Sequence, residues 1–154
     1  MMTEPVSRAM VEAFYQAYAA RDAAKVAEFL DDNVDWTIRG PVDVLPFCGT
    51  RHGKAAVLDL IERRVPAVFG ITSFVREITL VDGDQVAMLG RLSARGKDGR
   101  VISYRLAHFL RFRAGKVVEN VSLIDSFDAA EQVLGHPLDV HECVRREAGD
   151  LIAV

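Results

Sequence analysis

Between residues 71 and 126 the chain alternates long strand-like segments with very short turns. Segments 71–81, 85–95, 101–112 and 117–126 are separated by short connections carrying Asp82-Gly83-Asp84, Gly96-Lys97-Asp98-Gly99 and Arg113-Ala114-Gly115-Lys116. Glycine and aspartate in such tight connections supply the positive backbone angles that hairpin turns need. Four successive hairpin-linked strands make an antiparallel, strongly twisted sheet. One face of that sheet must be covered, and the preceding half of the chain has to do it.

That half reads as helix, helix, strand, helix. Met10, Phe14, Ala17 and Tyr18 recur at three- and four-residue spacing, an apolar stripe on a helix that starts near Pro5. Asp22 is a suitable N-cap for a short second helix carrying Val26, Phe29 and Leu30 and ended by Asp31-Asp32-Asn33. Val34, Trp36 and Ile38 alternate with Asp35, Thr37 and Arg39, so a half-buried strand is expected with Trp36 facing inward. Residues 41–52 read as a long loop with Phe47 and Cys48 at its apolar tip, of a length that often forms a lid or pocket rim. A third helix spans 54–64 with Val57, Leu58 and Ile61 on one face, ended or kinked by Pro66. Helices first and strands afterwards predict an α+β fold.

At 154 residues the chain is expected to form one domain, with a core over about 7–135 and a polar tail from 136 to 154. A net charge of −3 gives no basic excess, which argues against nucleic acid or an acidic membrane as partner and favours a small molecule or a protein. No stretch has the apolar length of a signal peptide or a membrane span, so a cytoplasmic location is expected. Cys48 and Cys143 show no disulfide-framework or zinc spacing, and His136, His141 and Cys143 match no established ligand pattern, so no metal is expected. Lys54 beside Gly53 lacks the strand and spacing of a phosphate loop.

Several local motifs carry a family resemblance over about 7–135: Phe14-Tyr-Gln-Ala-Tyr-Ala-Ala-Arg-Asp, Phe29-Leu-Asp-Asp-Asn-Val-Asp-Trp, Gly49-Thr-Arg-His-Gly-Lys and Gly115-Lys-Val-Val-Glu. With the element order they resemble the nuclear transport factor 2-like superfamily, and within it the SnoaL-like polyketide cyclase and ketosteroid isomerase-like branch. The resemblance implies a cone: a curved, mostly antiparallel sheet wrapped by three helices of the N-terminal half around a deep pocket. It also implies a homodimer, with His108 on the dimer face. A fold hosting isomerases, cyclases, hydrolases and binding modules does not fix function, which has to be argued from residues.

Residue by residue, the positions matching the steroid isomerase machinery hold Phe14, Ile38 and Ala107, taking His108-Phe109 and Gly115-Lys116 as anchors. Three apolar residues there argue against that chemistry. The cyclase branch places an acid/base aspartate on the last strand, a few residues before a Gln-Leu-Gly-like ending, and Asp125 with Gln132 and Leu134-Gly135 resembles that pattern. The family's epoxide hydrolases pair an arginine with two aspartates; Arg105 and Asp125 match, and Ala107 replaces the middle one.

With Ala107 facing the pocket, alternation puts Ser103, Arg105 and Phe109 beside it and lets Arg105 face Asp125. Burial would raise the Asp125 pKa and the arginine would lower it, which leaves the net sign open. The bland reading makes Asp125 a strand-end cap of the following helix or an ion pair, and makes Tyr15 and Tyr18 core rather than phenol donors. Two functions are therefore expected. One is a cofactor-independent enzyme of isomerase, cyclase or lyase type, moving protons on a hydrophobic carbonyl compound with Asp125 and Arg105 as catalytic groups and Phe14, Tyr18, Trp36, Phe47 and Ala107 as pocket wall. The other is a non-catalytic ligand-binding or dimerisation module of the same fold.

Overall fold

The structure, a computed structural model, describes residues 4–139. The first helix, α1 (Arg8–Ala19), starts where Ser7 accepts the Met10 amide, and it buries Val11, Phe14, Tyr15 and Ala17. Asp22 caps α2 (Ala23–Phe29) by accepting the Lys25 amide. The helix ends one residue earlier than its apolar run, because Leu30 already has strand geometry and opens β1 (Leu30–Arg39). Asp31-Asp32-Asn33 thus belongs to the strand, in a stretch where its register slips between Leu30 and Asp35. The expected loop 41–52 is only partly a loop, since Gly49–His52 forms β2 and pairs antiparallel with β1. Its polar ties are local: Thr37 to Thr50, and Asp35 to His52 at 2.6 Å, both exposed. Helix α3 (Lys54–Asp59) runs into a π-helical turn at Leu60–Arg64, just before Pro66.

The four long strands are β3 (Phe69–Asp82), β4 (Gln85–Gly96), β5 (Val101–Arg113) and β6 (Lys116–Ile124), followed by α4 (Ser126–Leu134). One six-stranded sheet has the order β2-β1-β6-β5-β4-β3, antiparallel except where β1 meets β6. Its curvature has visible causes. The β3–β4 pairing slips at Ile71/Ser73 and Arg76/Ile78, and at Gly90 the backbones come so close that a Cβ would stand 2.8 Å from the Val75 carbonyl oxygen. In the β5–β6 turn both Ala114 and Gly115 have positive φ, as a two-residue hairpin loop of that hand requires.

The concave face holds the core. Trp36, Phe14, Tyr15, Phe69 and Phe112 are its largest fully buried side chains. Val34, Trp36 and Ile38 are all buried, as the period-two pattern of β1 predicts. The convex face is largely bare, and α4 covers only one end of β5. There Gln132 accepts the Ser103 amide and donates to its carbonyl, occupying a strand edge that β6 has already left. His141, Cys143 and the Arg145-Arg146 pair lie outside the described residues.

Candidate functional site

Strand β5 decides where polar groups can meet. Its buried residues are Ile102, Tyr104, Leu106, His108, Leu110 and Phe112, all even-numbered, and the odd-numbered residues face out or are half-buried. The expected inward set Ser103, Arg105, Ala107 and Phe109 is therefore on the wrong face, and His108 on the right one. A one-residue error in aligning a strand reverses every side chain, which is the physical reason for the correction. Ala107 sits between Leu89 and Leu123 on the convex face. Arg105 is 58% exposed and pairs with Glu77 at 3.7 Å. The Asp125 amide donates to the Arg105 carbonyl at 2.9 Å, but the Asp125 side chain is exposed, makes no capping bond to α4 and does not meet the Arg105 guanidinium.

Inside the cone lies a cavity of about 40 Å³. Its polar lining comes from Tyr18 and Arg21 at the end of α1, Tyr104 and His108 on β5, and Ser122 on β6. Its apolar lining includes Phe47 from the loop and Phe74 from β3. Among the described residues, no carboxylate lines it. Of the residues expected at the site, Tyr18 and Phe47 line the cavity. Phe14 and Trp36 stand behind it in the core, with Trp36 6.1 Å from the Tyr18 ring. A larger groove of about 450 Å³, between the N-terminal segment and the β5–β6 turn, faces solvent and gathers no buried polar side chain.

His108 is the chemical centre of the cavity. It is 1% exposed, and burial pushes its imidazole down to about 3, so it is neutral at ordinary pH. Its Nδ1 lies 3.4 Å from the Tyr15 hydroxyl, with the two rings nearly parallel. Tyr18 meets the same imidazole edge-on at 5.4 Å. Burial likewise raises the Tyr15, Tyr18 and Tyr104 phenols, with the Arg21 charge pulling Tyr18 back, so all three stay protonated donors. Directly opposite His108 across the β5–β6 pair is Ser122, whose Oγ accepts a hydrogen bond from Asn120 Nδ2 at 2.8 Å. Asn120 Oδ1 and Trp36 Nε1, at paired positions of β6 and β1, are buried without a hydrogen-bond partner among the described residues.

The neck of the cavity is Arg21, Val65 and Ile71, which also line an outer groove of about 310 Å³. Arg21 reaches it from a left-handed backbone position (φ 57°), donates to the Ile61 carbonyl at 3.0 Å, and holds its guanidinium 5.9 Å from the Tyr18 ring. Non-glycine residues in that conformation are uncommon and concentrate at functional sites. The π-helical turn that it grips is another irregularity common at such sites. Among the described residues, no group of three His, Cys, Asp or Glu side chains is placed to hold a metal, and no helix is long and apolar enough to cross a membrane.

Sequence reasoning missed His108, Ser122, Arg21 and Tyr104. A signal for the first existed: Leu106, Leu110 and Phe112 alternate with Arg105, Arg111 and Arg113, which marks even positions as inward and His108 with them.

Known proteins share this fold. The SnoaL-like domain profile matches residues 11–120. A candidate isomerase from Rhodopseudomonas palustris is 36% identical, with 82% of this chain and 94% of that one aligned at a TM-score of 0.71. A nuclear transport factor 2-like protein of unknown function from Burkholderia pseudomallei is 24% identical over 80% and 94% of the two chains, at 0.73. A protein of ketosteroid isomerase-like fold from Catenulispora acidiphila, solved with trimethylamine, is 13% identical over 86% and 96%, at 0.69. No functionally curated protein matches the chain. Profile, fold and cavity lead to one conclusion: the chain belongs to the SnoaL-like domain family, within the nuclear transport factor 2-like fold.

Proposed function

We propose that the protein is a small-molecule enzyme of isomerase or cyclase type that binds a hydrophobic carbonyl compound in the cone and stabilises negative charge on its oxygen. The observation that carries this reading is the neutral His108, buried at the cavity wall directly opposite Ser122. A neutral imidazole can polarise a carbonyl by donating a hydrogen bond, and donors aimed at a developing oxyanion are commonly the largest catalytic contribution. Such donors acidify the hydrogens next to the carbonyl; transfer of one of them as a proton to a solvent water leaves the enolate, and return of a proton at another carbon, or attack of the enolate on a second carbonyl, completes a double-bond shift or a ring closure. Because the lining has no carboxylate, the catalytic weight falls on the donors rather than on Asp125. The family membership and the 36% identical candidate isomerase support the same class.

The test is hydrogen–deuterium exchange beside the carbonyl, followed by NMR, for a panel of hydrophobic ketones in heavy water. Exchange should be faster with protein than without, should fall about 100-fold or more in His108→Gln, and should persist in Asp125→Asn. Unaccelerated exchange across the panel would sink the enzymatic reading.

A non-catalytic module is favoured by one observation, the cavity's size. A volume of about 40 Å³ is close to the share of a single water, far below that of a drug-sized ligand site. A ligand must displace Phe47, Phe74 or Arg21 to enter. Binding without exchange in the same experiment would identify the module.

The partner surface we propose is the convex face, where Leu80, Ala87, Phe109 and Val121 form one cross-strand row and Leu89, Ala107 and Leu123 a second. Leu80, Phe109 and Leu123 are between 47% and 61% exposed. A second copy fits this apolar face, and a monomeric mass in solution would dismiss it. The buried free thiol of Cys48 suits a reducing cytoplasm.

A further inference from the structure

Resting on the reading of the cone as a ligand site, we infer that His108 and Ser122 form a two-donor cradle selecting the anionic form of a ligand oxygen, an enolate or phenolate, and that Asn120 sets its polarity. The two side chains project from directly opposite positions of an antiparallel pair, and both line the cavity. Opposite residues of such a pair have Cβ atoms about 5 Å apart, close enough for both to reach one oxygen.

What makes the pair a donor pair is the layer behind it. Asn120 Nδ2 donates to Ser122 Oγ, so the Ser122 lone pair on that side is used and its own proton is free to turn into the cavity. On the other strand, the Tyr15 hydroxyl has His108 Nδ1 as its hydrogen-bond partner. A phenol is a better donor than acceptor, so Tyr15 gives its proton to Nδ1 and the imidazole carries its hydrogen on Nε2. Among the described residues, none accepts a hydrogen bond from Nε2. Both cavity-facing groups are then donors, with the Arg21 charge at the neck and no carboxylate opposing them.

The amide orientation of Asn120 follows from its surroundings. Turned the other way, its NH2 would join Trp36 Nε1 as a second buried donor without an acceptor; as placed, one donor and one acceptor stand at paired positions of β1 and β6. Asn120 is thus a positioning residue, acting through Ser122, and Tyr15 plays the same part for His108.

The probe is 4-nitrophenol, whose absorbance separates the phenol from the phenolate. Bound to the wild-type protein it should ionise at least one pH unit below its free value, about a tenfold preference for the anion. Ser122→Ala should remove much of that preference. Asn120→Leu, which keeps the branching and the number of side-chain heavy atoms but has no polar atoms, should reduce it as well, and the double variant should lose no more than Ser122→Ala alone. An Asn120 that only supports the fold would weaken both forms equally, and its effect would add to that of Ser122→Ala; either result overturns its assigned role. Should Asn120→Leu fail to fold, Ser122→Ala still decides the cradle. Nitrophenol bound with its ordinary ionisation defeats the cradle but leaves the ligand site standing, and no binding at all defeats both.

Discussion

The two faces of β5 use the same backbone for opposite purposes. On the concave side, Tyr104, Leu106, His108 and Leu110 are all at most 5% exposed. On the convex side, Arg105 ties itself to Glu77 in the open, and Phe109 is 48% exposed. A buried polar group in the first setting has its protonation fixed by desolvation and its few neighbours. An ion pair in the second is weakened by water and salt. The proposed chemistry therefore uses the face where one imidazole stands among aromatics, not the face richer in charge.

The sharpest way to break this comparison is by deletion at neighbouring positions. Leu110→Ala should cost about 2–5 kcal/mol in urea unfolding, because the hole in a packed core does not close. Phe109→Ala should cost less, although it removes a larger side chain. Equal losses would mean the two faces are not as distinct as they look.

Acid should sharpen it further. With the folded His108 pushed to about 3 and an unfolded value near 6.5, the unfolded chain binds the extra proton between those limits. Stability from this group is complete above pH 6.5 and is lost at about 1.4 kcal/mol per unit as pH falls toward 3. His108→Gln should flatten that slope in a series of unfolding midpoints, and an unchanged slope would mean that His108 is solvated. The smallest effect should come from Arg105→Ala, about 0–1 kcal/mol, diminishing with added salt and leaving nitrophenol binding untouched. A loss of binding in that variant would return Arg105 to the site.

Much of the scaffold was legible because it rests on local pattern. The hairpin turns, the inward face of β1 around Trp36 and the Asp22 cap follow from spacing and side-chain chemistry within a few residues. One misread part involves a distant partner, and two more were errors over local pattern. Gly49–His52 has no strand alternation of its own, and becomes β2 because β1 offers it an open edge. Asp125 looked like an acid aimed inward because it ends an apolar strand. Yet Ile124 is the last residue of that strand, and the chain turns at Asp125 into α4, leaving the carboxyl in water. Matching positions by family motif put Ala107 inward, against the alternation of the strand's own residues, and the alternation was the better guide.

What the sequence by itself determined is the kind of object: helices to cover a twisted antiparallel sheet, in the order of the SnoaL-like fold, with no charge excess to attract nucleic acid. Only the tertiary structure decided which polar groups share the interior. Tyr15 and His108 are 93 residues apart in the chain and meet because sheet curvature and the docking of α1 bring them together. Those are sums of many small packing and register choices, and no short stretch of residues encodes them.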